Sequence, residues 1–141
     1  MLHHFAARRP SLRTLLRCAP LAAGLAFAAP AISQQAPRLD GSWHGSGQVR
    51  FASGDRESAR CRAQYNRMSA GAYRLQATCA TGSGRASQTA TLRYVGGNRF
   101  EGTFYNSEYD VRGTIHVAVG GNRQTVRLSS DSGSASFELR R

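Results

Sequence analysis

Residues 57–80 read ESARCRAQYNRMSAGAYRLQATCA, and this stretch decides the fold. Cys61 and Cys79 stand nine residues either side of Ala70, in the turn-forming triplet Ser69-Ala70-Gly71. Two strands folded at that triplet set the sulfurs opposite each other. Facing Cβ atoms in such a pair lie ~4.5–5.5 Å apart and a disulfide needs ~3.5–4.5 Å, so a non-hydrogen-bonded pair is close to bonding geometry. The same register matches Ala63 with Ala77 and Tyr65 with Leu75. The facing residues are all apolar, while Arg60, Arg62, Gln64, Arg74, Gln76 and Thr78 point to the other side. The stretch is a hairpin with one buried face.

Outward from it, the chain repeats one rhythm from Trp43 onward: an alternating run, then a short Gly, Ser, Asn or Asp turn. The first strand carries Trp43, Val49 and Phe51 on one face with Gly45 and Gly47 between them, and the hairpin supplies the second and third. The fourth turns Ala86, Ala90, Leu92 and Tyr94 inward, the fifth Phe100, Gly102 and Phe104. Val111, Gly113, Ile115, Val117 and Val119 mark the sixth, Val126 and Leu128 the seventh, and Ala135, Phe137 and Leu139 the eighth. Gly96-Gly97-Asn98 and Gly120-Gly121-Asn122 have the composition of tight hairpin turns. No ten-residue stretch shows helical period. Eight short strands joined by short turns predict an all-β, eight-stranded antiparallel up-and-down barrel, because closure removes both sheet edges. A two-sheet sandwich normally needs longer crossovers. A membrane-spanning barrel would be apolar outside, where this one carries Arg60, Arg62, Arg93, Arg112 and Arg127.

The start of the chain reads as a targeting segment. Arg8, Arg9, Arg13 and Arg17 precede an apolar run over 18–32, broken by Pro20, Gly24 and Pro30. Ala31 and Ser33 are the small residues three and one before a cut at Gln34. The run is shorter than the ~20 residues a spanning helix requires, which favours cleavage over a retained anchor. The expected organisation is a signal peptide over 1–33, a flexible segment over 34–41 and the barrel over 42–141, with the product periplasmic or secreted. After cleavage it does not span the membrane. It holds two cysteines, and an even count in a small exported chain favours a disulfide, here worth ~3 kcal/mol by the loop-closure argument. His44 and His116 are the two histidines left, at no metal-ligand spacing from the cysteines, so no metal is expected.

Gly41-Ser42-Trp43 resembles the G-x-W opening of lipocalin and avidin-like barrels. The resemblance implies that Trp43 plugs one end while the glycine lets the chain pass close beneath it. The stretches GSWHGSGQVRFASG, ARCRAQY, ATCATGSGRASQTA and FEGTFYNSEYDVRGTI are similar to a group of short exported proteins of α-proteobacteria. That likeness covers nearly all of the exported part and supports export and barrel; it implies no activity.

Catalysis has little to draw on. Both histidines are expected to point outward, no G-x-S-x-G elbow occurs, and the Gly-Gly-Asn-Arg turns open no helix that could cradle phosphate. No base, nucleophile and orienting group come together, so the reading is non-catalytic, with no cofactor and no specific nucleic-acid recognition. Three binding functions remain. Fifteen arginines, no lysine and eight carboxylates give the exported chain a formal charge of +7, which favours an anionic envelope component or an acidic protein as partner. Alternate turns share an end of such a barrel, which gathers Arg38, Arg67, Arg99, Arg123, Arg140 and Arg141 at one end as the anion-binding candidates. Asp55, Glu57, Glu108, Asp110 and Asp131 fall at the other.

The second function is a carrier of a small apolar ligand. Ten inward positions are Gly or Ala, and Tyr65, Tyr73, Gln88, Tyr94 and Gln124 could serve as polar handles inside. Against it, glycines also mark the bends that closure requires, and small barrels are normally filled. The third is a protease inhibitor that inserts the segment over 34–40 into its target's cleft.

Overall fold

The computed structural model describes residues 24–32 and 35–141. Arg8, Arg9, Arg13, Arg17, Cys18 and the expected cut before Gln34 lie outside the described residues. Contacts divide the chain into two units, Met1–Ile32 and Ser33–Arg141. In the first, residues 24–32 carry no helix or strand.

The second unit is a closed barrel of eight antiparallel strands in sequence order. These are β1 (Gly41–Phe51), β2 (Arg56–Ser69), β3 (Ala72–Thr81), β4 (Gly84–Gly96), β5 (Arg99–Asn106), β6 (Val111–Gly120), β7 (Arg123–Ser130) and β8 (Gly133–Arg140). Burial alternates along the strands, as a period-two pattern on a closed sheet requires, except that Ala72 and Tyr73 at the start of β3 are both buried. The first strand begins two residues earlier than its apolar pattern suggests, because Gly41 already pairs with Tyr65 of β2.

In the founding hairpin, Cys61 pairs with Cys79, Ala63 with Ala77 and Tyr65 with Leu75. The cysteines are disulfide-bonded, with their Cα atoms 4.1 Å apart. The turn reaches that register by an unexpected route. Ser69 pairs with Ala72, so the turn proper is Ala70-Gly71 and its centre lies half a residue beyond Ala70. Carried straight down the strands, that pairing would set Cys61 against Ala80. A register shift between Arg67 and Ser69 absorbs one residue, Met68, and restores the match. The turn of β4 and β5 does the same, with the extra residue between Tyr94 and Gly96. Met68 and Val95, the two residues left out, are exposed.

The barrel closes where β1 meets β8, from His44 opposite Arg140 to Phe51 opposite Gly133. At this seam a Cβ on Gly45 would strike the Glu138 carbonyl, and one on Gly47 would overlap the Ser136 carbonyl and come within 2.6 Å of the Phe137 ring. The glycines of β1 therefore serve closure rather than cavity space.

Strand direction fixes two ends. The segment before β1, the turns at Ala70-Gly71, Gly97-Asn98 and Gly121-Asn122, and the C-terminus meet at one. The turns after β1, β3, β5 and β7 meet at the other. The first end is sealed. Trp43 is 1% exposed, its indole N–H donates to the Leu39 carbonyl at 2.8 Å, and Leu39 is itself fully buried. The Arg141 guanidinium stacks 4.5 Å from the Trp43 ring and donates to the carbonyls of Asp40 and Arg38. The end of the segment over 34–41, expected to be flexible, is thus held at residues 38–40, because a buried indole N–H needs an acceptor. Behind the plug, Tyr73 meets Phe100 edge-on at 5.6 Å and Tyr94 packs on the same ring at 5.4 Å.

Candidate functional site

The other end is open and hollow. A cavity of about 330 Å³ enters the barrel there, walled by Val49, Phe104, Val111, Leu128, Ala135 and Phe137, with Cys79 of the disulfide in its side. Each wall residue comes from the inward set of its strand, near the strand end that meets the open rim. Ala86 and Ala135 leave room there that larger side chains would fill. Phe51 and Tyr109 stand at the rim, 39% and 63% exposed. Tyr109 is held by its turn: its N–H donates to Asn106 Oδ1 at 3.2 Å, and the next residue, Asp110, has φ 50°. Glu108 ties the same turn to β4 by accepting from the Ser87 N–H at 2.9 Å. That bond, made to the ionised form, holds the Glu108 carboxyl below its ordinary value.

Polar groups are set among the apolar wall. Gln88, Asn106, Thr81 and Ser130 contribute uncharged ones. Glu57 brings a carboxylate on the inward face of β2, opposite Val49. Its Oε1 accepts from the Ser83 hydroxyl, while Oε2 is buried without a partner. The hydroxyls of Ser83 and Thr81 hold this carboxyl below its usual range. Deeper, at mid-barrel, a void of only about 20 Å³ lies among Ala63, Leu75, Ala90, Phe104, Ile115 and Val126. The interior is thus packed from the sealed end to the waist and hollow from the waist to the rim.

The structure divides the interior residues expected to hold a ligand. Gln88 lines the cavity. Tyr65, Tyr73, Tyr94 and Gln124 face inward but belong to the sealed half, where Tyr65 and Gln124 bond each other and Tyr94 bonds the backbone. Tyr65 donates its hydroxyl to Gln124 Oε1 at 2.7 Å, and Tyr94 donates to the Gly97 carbonyl at 2.9 Å. Burial pushes the Tyr65 phenol well above its usual value, against a smaller opposing pull from the Gln124 bond. Glu57 and Asn106 were missed as interior groups. The available signal was position: an inward residue close to an open-end turn lines the mouth, and one close to a sealed-end turn lines the plug.

Strand direction does bring Arg38, Arg67, Arg99, Arg123, Arg140 and Arg141 to the sealed end. Three are engaged there, Arg67 by donating its Nε–H to the Ser69 carbonyl at 3.4 Å. Arg38 forms a salt bridge of 3.0 Å with Asp40, which lowers the Asp40 carboxyl, and Arg141 covers Trp43. Arg99, Arg123 and Arg140 are exposed and form no salt bridge among the described residues. His44 and His116 are on the outer wall, His116 beside Glu101 at 3.3 Å.

No protein-family profile and no curated protein matches the sequence. Solved structures do. A redesigned β-barrel, mFAP1, bound to DFHBI superimposes with a TM-score of 0.62 at 12% identity, over 73% of this chain and 94% of that one. A second, mFAP0, also bound to DFHBI, gives 0.61 at 12% identity over 73% and 98%. A de novo designed fluorescence-activating β-barrel gives 0.56 at 16% identity over 72% and 92%. The likeness is one of fold.

Proposed function

We propose that this protein is an exported, non-catalytic carrier that holds a small, largely apolar molecule in the open mouth of its barrel. The carrying observation is the 330 Å³ cavity, apolar in its walls, entered from one end and closed below by a packed waist. Its size is at the lower edge of the ~300–1,000 Å³ typical of ligand sites. The structural neighbours mFAP1 and mFAP0, bound to DFHBI, are barrels of the same plan that hold a small molecule. The test is titration of the purified protein with a neutral environment-sensitive dye such as N-phenyl-1-naphthylamine. Saturable fluorescence gain lost in Ala135→Leu, whose added bulk falls inside the mouth, supports the reading. Gain that survives Ala135→Leu refutes it.

A second reading rests on the exposed arginines of the sealed end and places an anionic envelope component or an acidic protein there. Replacing Arg99, Arg123 and Arg140 with Gln should weaken binding to anionic vesicles more than replacing Arg60, Arg62 and Arg93 on the wall, which removes equal charge. Equal weakening would reduce the effect to net charge.

A further inference from the structure

Among the described residues, strand alternation turns two charged residues inward: Arg67, exposed at the sealed end, and Glu57, which borders the cavity. A carboxylate in an apolar wall is costly unless its oxygens are satisfied. Ser83 and Thr81 serve it from one side, and the buried Oε2 has no protein donor. Arg50 and Arg85 also border the cavity, yet they occupy outward-facing positions and neither forms a salt bridge to Glu57. The mouth therefore presents a carboxylate with no cationic partner among the described residues at the edge of an apolar chamber. A ligand that fills the chamber strips water from this carboxylate, and a cationic head offsets that cost where no cation of the described residues does.

We infer that the cavity selects molecules with an apolar body of one or two rings and a cationic N–H donor, an amidinium or ammonium, which pairs with the Glu57 carboxylate. This rests on the carrier reading and adds the ligand's chemical class. The polar groups further inside, Gln88 and Asn106, are uncharged and suit the body rather than the head. Orientation follows: the cationic head lies near the rim with Glu57, and the rings point toward Phe104, Leu128 and Phe137.

Three isosteric probes test the inference: 2-naphthamidine, 2-naphthamide and 2-naphthoate, titrated into the purified protein by calorimetry. The amidine should bind roughly tenfold or more tightly than the amide, the ratio expected of one charge-assisted hydrogen bond, and the carboxylate most weakly. Glu57→Gln keeps a group that can bond Ser83 and should abolish the amidine's advantage over the amide. A carboxylate that binds best, or an amidine preference that persists in Glu57→Gln, overturns the inference and leaves the carrier intact. Failure of all three probes to bind folded protein overturns the carrier reading and this inference with it.

Discussion

The two ends of this barrel are built from the same strands with the same alternation, yet one is solid and the other hollow. At the sealed end the inward positions hold Trp43, Tyr65, Tyr73, Leu92, Phe100 and Gln124, and a residue from outside the sheet, Leu39, completes the seal. At the open end the corresponding positions hold Ala86, Ala135, Val49 and Val111, too small to meet across the lumen. An eight-stranded barrel is just wide enough to be filled by side chains, so residue size along each strand decides where filling stops. The difference divides labour. One end supplies stability, and the other is free to carry an ill-packed chamber and a charged group that a core would not tolerate.

The largest effect expected from this division is at the plug. Trp43→Ala removes the main side chain of the sealed end and the stacking surface of Arg141, and should cost ~3–5 kcal/mol in chemical denaturation. Val111→Ala at the rim, where the side chain is already half in the open, should cost under about 1 kcal/mol. Similar losses at both positions would show that the two ends share stability evenly. Next comes the staple between them. Converting Cys61 and Cys79 together to Ala should cost about 3 kcal/mol, the loop-closure value for a separation of 18 residues.

Smaller, and more diagnostic, is a matched pair of insertions. Ala90→Leu adds bulk at the waist, where the void is only about 20 Å³, and should destabilise by ~1–3 kcal/mol through overpacking. Ala135→Leu adds the same atoms beside a 330 Å³ chamber and should leave the melting temperature nearly unchanged. If both variants melt lower by the same amount, the mouth is not hollow in solution.

Much of the fold was legible because period-two burial is written directly into residue order. The Cys61–Cys79 register followed from symmetry about Ala70, and the inward set of every strand from simple alternation. The bulge at Met68 was not legible: a three-residue turn centred on Ala70 and a two-residue turn plus one bulged residue give the same pairing below Arg67. The site was harder still. Alternation tells which residues face inward but assigns them no depth, so by that rule Tyr65, Tyr94 and Gln124 are as suited to a ligand as Gln88. In the sequence Glu57 is one of several acidic residues near a rim, and charge suggests solvent. Its neighbours Thr81, at the end of β3, and Ser83, in the turn that follows, are what make an inward carboxylate tolerable.

The finest comparison concerns polar groups, because each end turns some of them inward. The sealed end pairs Tyr65 with Gln124, and burial raises the phenol's pKa in the folded state. A raised value means that the folded protein holds its proton to a pH at which the unfolded chain, with a phenol near ~10, has released it. The stability from this group is therefore complete below pH ~10 and drains away as pH rises from there toward the folded value. Tyr65→Phe should abolish that share of the alkaline loss. It should also lower stability at neutral pH by ~1–3 kcal/mol, since Gln124 Oε1 is left without its donor beside an Nε2 that already has no partner. Adding Gln124→Leu to Tyr65→Phe removes both orphans and should recover most of the neutral-pH loss. Denaturation curves of the single and double variants at neutral and alkaline pH measure these shifts. At the open end Glu57 has the opposite sign, its carboxyl held low, so its share of stability is lost only as pH falls through and below the usual carboxylate range. Glu57→Gln removes that share equally at neutral and alkaline pH and should leave the alkaline loss untouched. An alkaline loss unchanged by Tyr65→Phe would remove the buried phenol from the account of the sealed end.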